Sequence, residues 1–315
     1  MTERKLGLRP PKNAPALLLA PLLTKAVPDH PASEDHFSKV TDWGLYENDR
    51  YGDCGPTSVA NYIKLVTQYL TGTEVSVSQA DVFDLYRRSG NPNFDPATDA
   101  DDNGVDMQTM LEALAHGGIG GGHQPVAFAK VDVGNLDEVR AAIAIFGGVL
   151  LGVNLENAQK TQTDNGGPWD YAQSGTWGGH AVVAGRYTSA PTGTDVSVVT
   201  WGEVMGTTDA FMTHQLSECW VVVFPEHLQN PAFLAGVDVA VLAADYQALT
   251  GRPFPVQPTP TPNPPTPGPG PAPVALADMA LAVAFRADGW VTARHSRANA
   301  HVAKAATEWL EAKGL

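Results

Sequence analysis

The chain has 315 residues, a length that suits two folded units or one large unit with appendages. Apolar residues make up 43% and charged residues 17%, so the body can bury a core, and 20 Lys+Arg against 34 Asp+Glu leave −14 at pH 7. That charge argues against nucleic acid and anionic membrane as partners; two cysteines build neither a disulfide framework nor a thiolate zinc site, and no apolar run approaches the roughly 20 residues of a membrane helix.

The first 40 residues read as an extended arm. Its basic start is followed by the apolar run from Ala14 to Leu23, the outline of a secretory signal, but Pro15 and Pro21 bracket the run, Glu3 sits in the charged part and no small-x-small site follows. With neither a signal peptide nor a membrane segment read from these residues, localisation stays open, the cytoplasm included. Residues 41–252 form the main domain, mixed in α and β.

Helices are expected at Cys54 to about Leu70, Ala80–Arg88 after a Ser78 cap, Asp106 to about His116 before two glycines, and Leu136–Phe146 before Gly147. Strands are expected at Val149–Leu155, His180–Tyr187, Val196–Trp201 and Cys219–Phe224, each β-branched or aromatic. Helices first and strands later favour an α+β domain over a doubly wound sheet.

Between Pro253 and Pro273, 11 of 21 residues are proline and none is charged, which reads as a polyproline spacer. Residues 274–315 beyond it are alanine-rich, with apolar positions at spacings of three and four, and read as a helical tail suited to docking on a protein assembly. Spacer and tail together carry +1, leaving −15 on residues 1–252.

Cys54 stands in Arg50-Tyr51-Gly52-Asp53-Cys54-Gly55-Pro56, directly before an apolar-periodic run, with Pro56 placed for a first helical turn. A thiol at a helix N-terminus feels the positive end of the dipole and unpaired N–H groups, so a depressed pKa and an oxyanion site are both expected. The candidate base is His180, 126 residues on, in Trp177-Gly178-Gly179-His180-Ala181-Val182-Val183. Asp99, Asp101, Asn103 and Gly104 resemble the start of a calcium loop, but Met110 stands where the bidentate glutamate belongs, so a solvated turn capping the Asp106 helix is favoured. The histidines show no metal spacing, and no cofactor is implied. Cys219 reads as a small buried hydrophobe.

With these residues in place the sequence resembles the papain-like cysteine peptidase superfamily. It is nearest in style to the bacteriocin-leader peptidase branch, and also resembles a group of bacterial and tailed-phage proteins with a Gly-Asn-Asp-x-x-Gly-Asp-Cys segment, here Glu47-Asn48-Asp49-Arg50-Tyr51-Gly52-Asp53-Cys54. The resemblance covers about residues 5–230. It implies a two-lobe fold with Cys54 on the helical lobe and His180 on the β lobe, facing across a cleft.

It also implies an oxyanion amide six residues before the nucleophile, here Asn48, and an orienting asparagine where this chain has Val199. The imidazole is then oriented by another group such as Thr200 or Asp195, or left loose, and Trp201 either shields the site from water or serves as a core residue. Three functions follow: a cysteine peptidase or amidase acting on a peptide or peptidoglycan amide; a catalytically weakened papain-like module with a structural or binding role, for instance in a phage particle; and a transglutaminase-like acyltransferase.

Overall fold

The structure, a computed structural model, describes residues 4–14, 17–26, 29–188, 196–250 and 252–254. The spacer, the helical tail and Asp195 lie outside the described residues.

An antiparallel sheet organises the chain. Its strands are β1 (Ser33–Asp35), β2 (Ala127–Lys130), β3 (Val149–Glu156), β4 (Thr176–Thr188), β5 (Val196–Thr200), β6 (Glu203–Gly206) and β7 (Leu216–Val223), in the order β2-β7-β3-β4-β5-β6, with β1 paired to β4. The helices are α1 (Cys54–Thr71), α2 (Gln79–Arg88), α3 (Met107–Gly117), α4 (Leu136–Phe146), α5 (Asn157–Asp164), α6 (Asp209–Gln215), α7 (Pro231–Gly236) and α8 (Val239–Thr250).

Both sheet faces are buried at the centre, which explains the continuous apolar runs of β3, β4 and β7. Alternation sorts them: Leu150, Ala181, Val183, Val199, Trp220 and Val222 pack with α1, α2 and α3, whereas Leu151, Val153, Val182, Ala184, Val198 and Val221 pack with α4 and with Leu19, Leu22 and Leu23 of the arm. The arm is therefore pinned from Leu19 onward, where Leu19 and Leu22 are almost wholly buried.

The start and stop signals act as expected. Ser78 and Asp81 form a capping box on α2, Asp106 caps α3 through the Thr109 N–H at 2.9 Å, and Gly72 and Gly147 close α1 and α4 in the left-handed region at φ 71° and 77°. Several strand boundaries differ from expectation, among them β7, which runs from Leu216 to Val223 rather than from Cys219 to Phe224. β4 begins at Thr176, so Gly178 and Gly179 are part of the strand, pairing with Leu155 and Asn154. β5 stops at Thr200, because Trp201 and Gly202 make the two-residue turn into β6.

The Asp99–Asn103 loop is a hydrogen-bonded turn: Asp101 accepts from the Asn93 N–H at 2.9 Å and the Asn103 amide at 2.7 Å. Both cysteines are free and buried, and Cys219 lies opposite Leu151 in the sheet. Among the described residues no helix is long and apolar enough to cross a membrane.

Candidate active site

Cys54 is the first residue of α1, and Gly55 allows that end of the helix to sit deep in the molecule. A Cβ on Gly55 would come within 2.5 Å of Val105 Cγ2 and 2.8 Å of Met110 Sδ, so the helix start packs against α3 only with glycine there. Cys54 and His180 are both fully buried. The Ala181 N–H points at the sulfur, with 3.4 Å from nitrogen to Sγ, which sets the thiol beside the residue that follows His180.

The imidazole is held from two directions. Its Nε2 lies 2.8 Å from the Thr200 hydroxyl, and its ring stacks on Trp201 at 4.5 Å between centroids and 15° between planes. Trp177 stacks on the other side of Trp201 at 5.7 Å, and Trp169 meets both His180 and Trp201 edge-on. Nδ1 is buried and makes no hydrogen bond, so it is the ring nitrogen left for proton transfer, and the thiol does not bond to it in this state.

Thr200 thus occupies the orienting position that Val199 cannot fill. Val199 points to the α1 face, and period-two alternation sends its neighbour to the side where the imidazole lies.

Asn48 is buried in the loop before α1. Its amide donates to Asp53 Oδ1 at 3.1 Å and to the Tyr51 carbonyl at 3.3 Å, so both N–H groups are used within the loop. The other oxygen of Asp53, Oδ2, is buried without a partner, and burial raises that carboxyl well above the usual range.

The expected depression of the thiol pKa is absent. Burial pushes Cys54 up to about 12, and the main-chain N–H groups of Ala181, Gly7 and Gly55 near the sulfur offset only part of this. Burial likewise drives His180 down to about 3. Desolvation outweighs the helix dipole, so both groups are neutral and the pair is at rest.

Part of the burial of Cys54 comes from the arm, which sequence reasoning placed on the body without locating it. Residues 5–9 run as an extended segment bridged at Leu8 to Val105 on one side and Gly179 on the other. The Lys5 N–H donates to the Asp49 carbonyl at 3.0 Å and that of Leu8 to the Gly179 carbonyl at 3.0 Å; Arg9 donates to the Val105 carbonyl, and Val105 to that of Gly7, each at 2.7 Å. Lys5 also bonds Asp102, whose carboxylate accepts from the Gly52 N–H and the Tyr86 hydroxyl as well. Arg4 pairs with Asp164 at 2.7 Å, and its guanidinium lies 5.2 Å from the centre of the Trp201 ring.

The signal that could have located the arm is glycine: Gly52, Gly104, Gly178 and Gly179 all face it.

No protein-family model matches the chain, and no curated protein matches it. Solved structures do. Xylellain, a cysteine protease from Xylella fastidiosa, is similar over 70% of this chain and 97% of its own, with TM-score 0.53 and 13% identity. The cysteine protease CMS1MS2 of Carica candamarcensis, solved with E-64, aligns over 62% and 99% at 19% identity and TM-score 0.47. The bromelain protease of Ananas comosus aligns over 62% and 99% at 11% identity and TM-score 0.46. The fold is therefore that of the papain-like cysteine proteases, a helical part packed against an antiparallel sheet.

Proposed function

We propose that this protein is a cysteine peptidase or amidase in which Cys54 is the nucleophile and His180 its base. The observation that supports this most directly is the thiol at the head of α1 lying 3.4 Å from the main-chain nitrogen that follows His180, whose imidazole has one ring nitrogen engaged by Thr200 and the other unbonded. When substrate replaces the arm, Nδ1 takes the Cys54 proton and the thiolate attacks the amide carbonyl carbon.

The Cys54 N–H, in the first turn where no intrahelical acceptor exists, receives the developing oxyanion. Asn48 adds a second N–H by releasing Asp53. Collapse breaks the C–N bond, the leaving amine takes the proton from the imidazolium, and water cleaves the thioester, returning the thiol. Trp201 keeps bulk water from the ring face.

Hydrolysis of a quenched-fluorescent peptide library, including peptidoglycan stem peptides, tests the reading. Turnover that falls at least 10³-fold in both Cys54→Ala and His180→Ala is expected, by analogy with removal of a nucleophile or base from a triad. Turnover that survives either substitution overturns it.

A second reading, a module that binds peptide without cutting it, is favoured by the occupied cleft and by a His180 Nδ1 that makes no hydrogen bond. Its signature is binding with no turnover in the intact protein.

A further inference from the structure

We propose that the cleft over Cys54 is a binding groove for an extended, basic peptide segment carrying glycine between two leucines, and that residues 4–9 of this chain are its resident occupant. This rests on the peptidase reading and names its class of peptide.

The groove is stripped to main chain around one position. A Cβ on Gly104 would overlap the carbonyl oxygen of Gly7, one on Gly179 would overlap that of Leu8, and one on Gly7 itself would overlap the carbonyl of Gly52. Only glycine fits between Gly52 and Gly104. Its neighbours have room for side chains: Leu6 lies over Gly178, and Leu8 reaches Gly152, where an added Cβ would stand 2.8 Å from Leu8 Cδ2. The main-chain bonds to Asp49, Val105 and Gly179 fix the register without reading side chains.

Charge supplies the flanking preference. Residues 4–12 hold Arg4, Lys5, Arg9 and Lys12 and no acid. Asp102, whose side chain is 2% exposed, meets the cation at position 5, and Asp164 meets the one at position 4. A buried carboxylate aimed into a main-chain groove is a built site for a cation. An open cavity of about 660 Å³ lies alongside this part of the arm, lined by Arg4, Lys5 and Leu6 together with Asp49, Arg50 and Trp177.

The arm's fully buried apolar anchors begin at Leu19, whereas Leu6 and Leu8 are only partly buried against the core. Release of residues 4–9 gives up that partial packing and leaves the Leu19 and Leu22 anchors in place.

The test uses the full chain in a Cys54→Ala background, so that cutting contributes nothing. Gly7→Val evicts the arm by steric overlap; Lys5→Glu loosens it by charge and serves if the first variant does not fold. The probe is a fluorescein-labelled peptide Arg-Lys-Leu-Gly-Leu-Arg-Pro-Pro-Lys, read by anisotropy. Binding at least tenfold tighter to Gly7→Val than to the unaltered arm is expected, a severalfold gain for Lys5→Glu, and at least tenfold loss when the probe's glycine is replaced by valine. Equal binding to filled and vacated clefts, or equal binding of the glycine and valine probes, overturns the proposal. A probe that binds but is never cut by the Cys54 form defeats the peptidase reading alone; hydrolysis of other peptides without probe binding defeats the groove alone.

Discussion

Trp201 sits at φ 48°, in the left-handed region where a bulky residue costs roughly 1–3 kcal/mol, and with Gly202 at φ 77° it fills a turn that ordinarily favours Asn-Gly. The conformation lays its indole flat on His180. The neighbouring Thr200 supplies the other constraint, and its removal isolates that contribution. Thr200→Val keeps the shape and leaves Nε2 unbonded, a penalty of about 1–3 kcal/mol for a buried polar group. Hydrolysis is expected to fall by about one to two orders of magnitude, with recovery in Thr200→Ser, which restores the hydroxyl. Unchanged kcat/KM in Thr200→Val would show that Trp201 alone orients the ring. This residue was within reach of sequence reasoning because it was named, with Asp195, as a substitute for Val199; Asn48 was read as an oxyanion amide, and nothing in the sequence reported that Asp53 would hold that amide.

At the scale of elements, boundaries were legible where a cap or a glycine marks them, as at Ser78, Asp106, Gly72 and Gly147. They were not legible where tertiary packing sets them. α5, with the sequence Asn-Ala-Gln-Lys-Thr-Gln-Thr-Asp, has no apolar stripe, and it forms because Glu156 and Gln159 bond across its first turn and Gln159 reaches Asp170 and Gln215. Near its start β4 includes Gly178 and Gly179, which carry little strand propensity and pair with Leu155 and Asn154 of β3.

His227 shows how elements are clamped. Its Nδ1 accepts from the Phe224 N–H at 3.0 Å after β7, and its Nε2 donates to the Phe146 carbonyl at 3.1 Å at the end of α4. Burial holds its pKa near 4, below an unfolded value of about 6.5, so between these values the unfolded chain binds a proton that the native state refuses. Stability is therefore lost as pH falls from about 6.5 to about 4, by up to about 1.4 kcal/mol per pH unit from this group. His227→Gln is expected to lower stability near neutral pH and to flatten that slope in urea titrations. An unchanged slope would mean that the ring already carries its proton in the fold.

For the whole molecule, the α+β architecture was legible, as were the helix that starts at Cys54 and the strand that carries His180, because a helix start with Gly-Asp-Cys-Gly-Pro and a Gly-Gly-His strand are local patterns. The resting state was not, because it depends on residues 5–9 crossing to Val105 and Gly179, contacts that sequence distance hides. Gly7 of the arm lies beside the sulfur, and with burial in the rest of the fold Cys54 is pushed up to about 12 and His180 down to about 3, so that both groups are neutral.

The most direct measurement is the rate of iodoacetamide alkylation mapped to Cys54 between pH 5 and 9, in the unaltered chain, in Gly7→Val and in Gly7→Val/His180→Ala. The account expects slow reaction throughout for the unaltered chain, rapid stoichiometric reaction already at pH 6 once the arm is evicted, and loss of that low-pH reactivity without the imidazole. A rate in Gly7→Val that climbs only near pH 8.5, as for an isolated thiol, and that ignores His180 would contradict it.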